Sequence, residues 1–320
     1  MDIGLTIPAR GPLATAAGIS AMARQAEALG FDHLSLSDHL VVPRRIDSRY
    51  PYSESGEWAG AASGDCLEQF TELAWLAALT KKVRLITAVA VIPYRAAVHS
   101  AKIIATIDVL SGGRMVLGVG AGWLREEFEA LGAPPFEDRG RVTDEYLQAF
   151  KTLWTEDAPR FTGEFVRFDH ISFLPKPIQK PVPIWVGGES PPAMRRTARL
   201  GDVWFPIGNN PRHPLDTLAR LEGGVQRLRQ TAEQQGRDPA TIGLAYYAGW
   251  FDATQTKTLQ SGERHLMTGT PAQLAEDIDG LAALGVKDLV LNFQRDTLER
   301  SLAAMQHFSD EIRPLARDRV

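Results

Sequence analysis

The chain has 320 residues, of which 44% are hydrophobic and 23% are charged, and its formal net charge at pH 7 is −4. This length allows one large α/β barrel or two ordinary domains, and the small charge without any basic block argues against nucleic acid as a partner. The longest apolar runs fall short of the ~20 residues of a membrane span, and the N-terminus lacks the basic start and apolar stretch of a signal peptide. The single cysteine, Cys66, can form no internal disulfide, so we expect a cytoplasmic protein.

Strand-like and helix-like segments alternate along the chain. The apolar strand-like runs lie at 3–7, 32–36, 83–91, 115–119, 183–187, 202–206, 241–246 and 286–293. The segments with helical periodicity are Ala14–Leu29, Leu67–Leu79, Ala97–Leu110, Val142–Trp154, Pro192–Leu200, Leu215–Gln235, Pro271–Leu284 and Leu298–Ile312. Eight such repeats favour a closed (β/α)₈ TIM barrel over an open doubly wound sheet. Because no linker or shift of composition divides the chain, we predict one domain over residues 1–320.

Two segments exceed a minimal barrel. Residues 40–66 form a long loop rich in Arg, Tyr, Pro and Gly, which predicts a mobile lid over a cofactor or substrate, with a rigid insertion for subunit contact as the alternative. Within it, the side chains available to an anionic or an apolar ligand are Arg44, Arg45, Arg49, Tyr50, Tyr52 and Trp58. Residues 155–182 are polar and rich in proline, and we expect them to pack over the outside or one end of the barrel.

The stretch 113–128 carries the strongest local signal for a binding site. An apolar strand enters the glycines Gly118, Gly120 and Gly122 and leads directly into a helical pattern. We interpret these glycines as allowing the backbone to approach a ligand closely, with an ordinary tight βα turn as the alternative. The Rossmann fingerprint would need glycine where Trp123 stands, so the spacing does not predict a dinucleotide site.

An acid and an imidazole follow the second predicted strand. Asp38 can set the tautomer or the pKa of His39, and histidine is suited to proton transfer near neutral pH. The alternative is a capping Asp38 beside a surface His39, but the position at a strand end favours the catalytic role. Glu126 and Glu127, beyond the glycine turn, are expected to be solvated acids in the first turn of a helix.

A second glycine turn follows the fifth predicted strand. Gly187, Gly188, Glu189 and Ser190 precede two prolines, which indicates a helix start that can bind a phosphate, or simply an ordinary capped helix. No group of His, Cys or carboxylate residues has metal-ligand spacing, and no nucleophile elbow is present, so we expect neither a metal nor a serine nucleophile.

The order of these motifs resembles the bacterial luciferase-like superfamily of flavin and deazaflavin oxidoreductases. The motifs are Asp38-His39, Thr87-Ala88-Val89, Gly113-Arg114, Gly118-Val119-Gly120-Ala121-Gly122-Trp123, Ile184-Trp185-Val186-Gly187-Gly188 and Gly269-Thr270-Pro271. The features most similar to the branch that uses coenzyme F420 are Gly120–Leu124, Glu126-Glu127-Phe128, Trp154 and Gly201-Asp202. The resemblance therefore covers nearly the whole chain.

The resemblance implies a cofactor ring in the barrel mouth, supported by a non-prolyl cis peptide at Ala88-Val89. It implies that His39 and Asp38 act at the hydride-transfer position. The residues expected to bind the cofactor are Asp38, Thr87, Ala88, Val89, Gly120, Ala121, Gly122, Trp123, Gly187, Gly188, Glu189 and Ser190.

The expected function is hydride transfer between coenzyme F420 and a small organic substrate. Trp123 stands where sugar-phosphate dehydrogenases of the branch carry a carboxylate, and Pro43 replaces their tryptophan, so a carbonyl, alcohol or activated alkene is a better expectation than a sugar phosphate. An FMN-dependent monooxygenase is the alternative, and a cofactor-free phosphosugar isomerase or aldolase barrel is a third possibility. We also expect a homodimer.

Overall fold

A computed structural model describes residues 1–316, which contain eleven strands and nine α-helices. The strands are β1 (Asp2–Thr6), β2 (His33–Leu36), β3 (Arg84–Thr87), β4 (Ala90–Val91), β5 (Met115–Gly120), β6 (Phe161–Thr162), β7 (Arg167–Phe168), β8 (Ile184–Gly187), β9 (Val203–Phe205), β10 (Gly243–Tyr247) and β11 (Val286–Leu291). The helices are α1 (Ala16–Ala28), α2 (Gln69–Leu79), α3 (Ala97–Ser111), α4 (Arg125–Leu131), α5 (Arg139–Thr155), α6 (Pro191–Leu200), α7 (Leu218–Gln234), α8 (Pro271–Ala283) and α9 (Leu298–His307).

Nine of the strands form one parallel sheet that closes on itself. The order is β3-β2-β1-β11-β10-β9-β8-β5-β4, and β3 also pairs with β5. Strands β3 and β4 are two parts of one barrel strand, because both run along β5 on either side of Ala88 and Val89. The barrel therefore has eight strand positions with helices between them, which confirms the predicted (β/α)₈ fold.

The barrel is held by apolar packing on both faces of its strands. Its interior holds a layer of large side chains, among them Ile86, Val116, Trp185, Phe205 and Val290, each at most 3% exposed. The larger core lies outside the strands, where the apolar stripes of the helices cover the sheet. Burial on both faces explains why the strands read as continuous apolar runs in the sequence.

The long connections cover different parts of this frame. Residues 155–182 lie on the outside, where the hairpin of β6 and β7 is tied to α5 by Glu145, whose carboxylate accepts N–H bonds from residues 164–166. Another irregular connection, which the sequence patterns did not predict, lies at 248–270 between β10 and α8. This connection contains isolated β-bridges instead of strands, so its sequence has no periodic apolar pattern that would predict its structure. No helix within residues 1–316 is long and apolar enough to cross a membrane.

Candidate active site at the barrel mouth

His39 and Glu127 form a buried pair at the C-terminal end of the barrel. His39 follows β2 and is 9% exposed, and Glu127 lies in the first turn of α4 and is fully buried. The imidazole Nδ1 lies 2.7 Å from Oε2 of Glu127. The expectation that Glu127 is a solvated acid was therefore wrong. The helical spacing contained a signal, since Leu124, Phe128 and Leu131 define an apolar stripe at i, i+4 and i+7 that includes position 127.

Glu127 accepts hydrogen bonds at both oxygens. Oε2 also accepts from the hydroxyl of Tyr94 at 2.8 Å, and Oε1 accepts from the backbone N–H groups of Leu40 at 2.7 Å and Val41 at 3.2 Å. Burial opposes ionisation of this carboxyl, but the hydrogen bonds, that from His39 foremost, outweigh burial and lower its pKa. An ionised Glu127 accepts the proton of Nδ1, which leaves Nε2 of His39 as the nitrogen able to exchange a proton with a ligand.

Asp38 has a different partner from the one predicted. Its two oxygens accept a bidentate ion pair from Arg95, both bonds at 2.9 Å, and the N–H of Val91 donates to it at 2.8 Å. The prediction that Asp38 orients His39 was wrong, because Arg95 and Val91 engage both of its oxygens. Asp38 instead ties the end of β2 to β4. Arg95 is also bonded to Glu68 at 2.7 Å, and the two carboxylates outweigh its burial and raise its pKa.

Residues 40–66, which we call the lid segment, lie over the mouth, and their mobility stays a prediction. Trp58 lies against the His39 ring with centroids 4.3 Å apart and planes inclined at 31°. Trp123 contacts Trp58 at 5.6 Å and Tyr50 at 5.1 Å, in both cases edge to face. Three lid arginines are exposed: Arg44, Arg45 and Arg49. The aromatic side chains of the lid, and not its cations, therefore line the mouth.

The lid is attached to the barrel at both sides of the mouth. The carboxylate of Glu126 accepts the N–H groups of Asp47 at 2.6 Å and Ser48 at 2.9 Å. On the other side, Asn209 donates to the carbonyl of Tyr52 at 3.3 Å. Glu126 thus anchors the lid, which is a role that its sequence position alone did not predict.

Several predicted cofactor glycines make room for the protein itself. A Cβ at Gly118 would lie 1.9 Å from the carbonyl oxygen of Thr87, and a Cβ at Gly120 or Gly187 would lie within 2.9 Å of the Val89 side chain. The interpretation of Gly118 as a ligand-approach position was therefore wrong. Thr87 is fully buried, and its hydroxyl donates to the Gly118 carbonyl at 2.6 Å.

The residues of this bulge carry the feature expected from the resemblance. The peptide bond between Ala88 and Val89 is cis and does not involve proline. Both side chains are half-buried and face the apolar barrel interior.

The second glycine turn offers fewer donors than expected. Pro191 and Pro192 occupy the first two positions of α6 and have no N–H to donate to a ligand. The Ser190 side chain makes no capping hydrogen bond with the helix. Gly188 has φ +101°, a conformation that disfavours any side chain. Glu189 is buried between the N–H of Ile207 and the side-chain amide of Asn210, and burial raises its pKa to about 7.

Arg10 is a mouth residue that no sequence motif predicted. It follows β1, and its Nη2 donates to the Ser37 hydroxyl at 3.0 Å. Its guanidinium lies over the Trp58 ring at 4.9 Å. Nη1 is buried and has no hydrogen-bond partner within residues 1–316. An isolated arginine in a loop gives no periodic signal, so only the spatial arrangement identifies it.

These features define a (β/α)₈ barrel with a buried imidazole–carboxylate pair and a cluster of aromatic side chains at the C-terminal face of its strands, where enzymes of this fold carry their active sites. Residues 1–249 match the family model described as luciferase-like monooxygenase. The chain belongs to this family of oxidoreductases, whose members use coenzyme F420 or FMN.

Individual relatives agree with this assignment. The chain is 36% identical over 211 residues to an uncharacterized protein of Mycobacterium tuberculosis, which covers 66% of this chain and 71% of the relative. It is 30% identical to an FMNH₂-dependent dimethylsulfone monooxygenase of Pseudomonas putida, over 87% of this chain and 86% of that one. Its fold matches an F420-dependent secondary alcohol dehydrogenase, solved with an F420-acetone adduct, with a TM-score of 0.76, 18% identity and 99% coverage of both chains.

Proposed function

We propose that this protein transfers a hydride between coenzyme F420 and a small carbonyl, alcohol or activated alkene, and that His39 exchanges the accompanying proton. The observation that carries the proposal is the buried His39–Glu127 pair, 2.7 Å apart, at the mouth of the barrel. Exchange between an alcohol and a carbonyl moves one hydride and one proton, so a single positioned imidazole suffices for the protein's part.

The residues of the mouth fit a flat cofactor ring. Ala88 and Val89 offer partly exposed apolar surface, and Trp123 offers a partly exposed aromatic ring. The Ser190 hydroxyl, which caps no helix N–H, is available to a phosphate. When bound, coenzyme F420 supplies the hydride acceptor or donor. Gly120, Ala121, Gly122 and the remaining predicted cofactor residues stay predictions.

The chain's own residues then orient the substrate and control one proton. The negative charge of Glu127 fixes the proton on Nδ1 of His39 and stabilises the imidazolium when Nε2 takes up a second proton. Tyr94 and the N–H groups of Leu40 and Val41 hold the carboxylate in place. The lid aromatics exclude water from the imidazole, which strengthens this charge interaction.

A second candidate function is an FMN-dependent monooxygenase that uses reduced flavin and oxygen. The observation that favours it is the 30% identity to the dimethylsulfone monooxygenase over most of both chains. The same mouth would receive the flavin ring, and His39 would again be the proton-exchanging group.

We also infer that the protein is a homodimer. Trp75 on α2 is 51% exposed and Leu110 on the adjacent α3 is 70% exposed, and large apolar side chains exposed on neighbouring helices are suited to a protein interface. Light scattering of the purified protein distinguishes a dimer from a monomer. The cytoplasmic location and the lack of a nucleic-acid partner stay predictions from the sequence.

The experiment that tests the proposed function has two parts. Coenzyme F420 and FMN are each titrated into the purified protein by fluorescence quenching, and we expect tighter binding of F420. Turnover is then measured, from the absorbance of the cofactor, with a panel of secondary alcohols, ketones and activated alkenes, in air and without oxygen. Tighter binding of FMN together with oxygen-dependent turnover would overturn the first candidate and support the second.

His39→Ala tests the role of the imidazole. We expect turnover to fall by ~10²–10⁴ and cofactor affinity to stay within roughly tenfold, because the change removes proton transfer and leaves the ring site. The matched control is His99→Ala, on the exposed surface of α3, which should leave both unchanged. Unaltered turnover in the His39 variant would remove this residue from the mechanism.

A further inference from the structure

Arg10 is a partly buried cation that makes no ion pair with any carboxylate within residues 1–316. Nη2 bonds to the neutral hydroxyl of Ser37, and Nη1 has no partner within the described chain. Tyr50 and Tyr247 lie close enough to interact with it, but burial raises the pKa of both phenols, that of Tyr247 to about 12. Two carboxylates, Glu127 and Asp65, lie close enough to interact with the Arg10 charge but form no hydrogen bond with it. Glu127 accepts from His39 and its other donors, and Asp65 accepts from the N–H of Gly11.

A charge in this position is costly without an anion. Burial lowers the pKa of the Arg10 guanidinium, since an ion that leaves water needs a compensating charge or hydrogen bonds. The lid also approaches the group closely, because a Cβ at Gly60 would lie 2.7 Å from Nη1. The lid thus covers the free end of a guanidinium that has donors to spare.

The same space is walled by aromatic rings. The Arg10 guanidinium lies over Trp58, which stacks on His39 and contacts Trp123. Tyr50 extends the cluster from Trp123. A ligand whose anionic group reaches Arg10 would therefore have the flat apolar rings of Trp58 and Trp123 next to the rest of the molecule. The imidazole of His39 also contacts Trp58, so it is one ring contact away from Arg10. Because the rings contact one another, such a ligand must displace Trp58 from the His39 ring.

We propose that Arg10 binds an anionic head group of the substrate, and that the substrate class is a small organic acid whose apolar or aromatic body contacts Trp58 and Trp123. The assignment as substrate rests on the proposed function, whereas the anion site itself rests on Arg10 alone. A guanidinium suits a carboxylate or sulfonate, since it can donate two parallel hydrogen bonds to two oxygens.

The test compares charged and neutral probes of one shape. Benzoate and benzamide are titrated into the wild-type protein by calorimetry, without cofactor and with each of F420 and FMN. We expect benzoate to bind at least about tenfold more tightly than benzamide, because a charge-assisted hydrogen bond contributes that much. Equal affinity for the two probes would overturn the proposal without the need for any variant.

Variants then locate the site. Arg10→Met should lower benzoate affinity at least about tenfold and leave benzamide affinity within about threefold, while Arg10→Lys keeps part of the selectivity because the charge remains. Arg24→Met, on the exposed surface of α1, is the matched control and should change neither. Thermal melting without ligand should show Arg10→Met at least as stable as wild type, since the change removes a partly buried charge that forms no ion pair within residues 1–316.

Three further outcomes separate the possible sources of the anion and the two proposals. A loss of F420 or FMN affinity in Arg10→Met, with benzoate selectivity unchanged, would assign Arg10 to an anionic group of the cofactor and overturn the substrate assignment. If neither cofactor binds wild type but benzoate selectivity depends on Arg10, the anion site stands and the proposed function fails. If a cofactor binds tightly and the protein does not distinguish benzoate from benzamide, only the anion site fails.

Discussion

Replacing Glu127 by glutamine tests whether its buried charge organises the mouth. Oε2 accepts from His39 and Tyr94, and Oε1 accepts from the N–H groups of Leu40 and Val41. An amide offers one accepting oxygen and one donating NH₂ group. In either orientation the NH₂ group therefore faces two groups that donated to the carboxylate. If the amide oxygen keeps the backbone N–H groups, His39 must accept at Nδ1 and carry its proton on Nε2, which is the wrong tautomer for a base.

The magnitude follows from the strength of hydrogen bonds to charged groups. Each is worth roughly 1.5–3 kcal/mol against about 1 kcal/mol for a neutral bond, so the loss of charge and the mispairing should cost Glu127→Gln about 2–4 kcal/mol. With about 2 cal/mol/K of unfolding entropy per residue, the melting temperature should fall by about 3–6 °C. The assay is thermal unfolding of the cofactor-free protein, followed by circular dichroism at pH 7.

The loss of stability in Glu127→Gln should depend on pH in a defined direction. The pKa of Glu127 is lowered in the folded state, so its stabilisation is fully present above the unfolded value of about 4.3 and is lost as the pH falls through the lowered folded value. The difference between wild type and Glu127→Gln should therefore shrink below about pH 4. A difference that is absent at pH 7, or that stays constant down to low pH, would refute the reasoning.

Glu126→Gln is the matched control on the same helix. The N–H groups of Asp47 and Ser48 both donate to one oxygen of Glu126, and an amide oxygen can replace that oxygen. We therefore expect a cost of less than about 1 kcal/mol at pH 7, because these bonds are retained in a neutral form.

Two further predictions concern positions away from the imidazole. Gly118→Ala should destabilise the protein by at least about 3 kcal/mol in urea unfolding, since its Cβ would lie 1.9 Å from the Thr87 carbonyl oxygen. Gly132→Ala, with φ +62° and open space around it, should cost only about 1 kcal/mol in the same measurement. Equal costs for the two variants would contradict this expectation. Glu72 is buried with both oxygens unpaired within residues 1–316, and burial raises its pKa to about 8. Its carboxylate therefore destabilises the fold increasingly as the pH rises from about 4.3 to 8, and Glu72→Met should gain more stability at pH 8 than at pH 5. A gain in stability that does not depend on pH would argue against a buried titrating carboxyl.

The sequence predicted the frame of the molecule because that frame is built from repeated local patterns. Apolar runs such as 115–119 are buried on both faces, and the strand found there is Met115–Gly120. Helices such as Pro271–Ala283 begin at a recognisable cap, here Thr270 with Gln273 in a capping box. The connection at 248–270 was missed because irregular structure has no period, and its position depends on tertiary contacts.

The partners of the mouth residues lay beyond local patterns. Asp38 and His39 are adjacent in the sequence, but Asp38 pairs with Arg95, 57 residues away, and His39 pairs with Glu127, 88 residues away. Side chains of neighbouring residues commonly point in different directions, so adjacency gives weak evidence of a pair. Convergence at the end of the barrel selected the actual partners.

The sequence by itself determined the eight-fold alternation, the glycine turns at the strand ends and the resemblance that located the cis peptide at Ala88-Val89. Tertiary structure alone decided the electrostatics: which carboxylate pairs with His39, and that no carboxylate within residues 1–316 pairs with Arg10. The physical reason is that hydrophobic periodicity is written within each element, whereas the state of a buried charge depends on which loops, distant in sequence, close over it and exclude water.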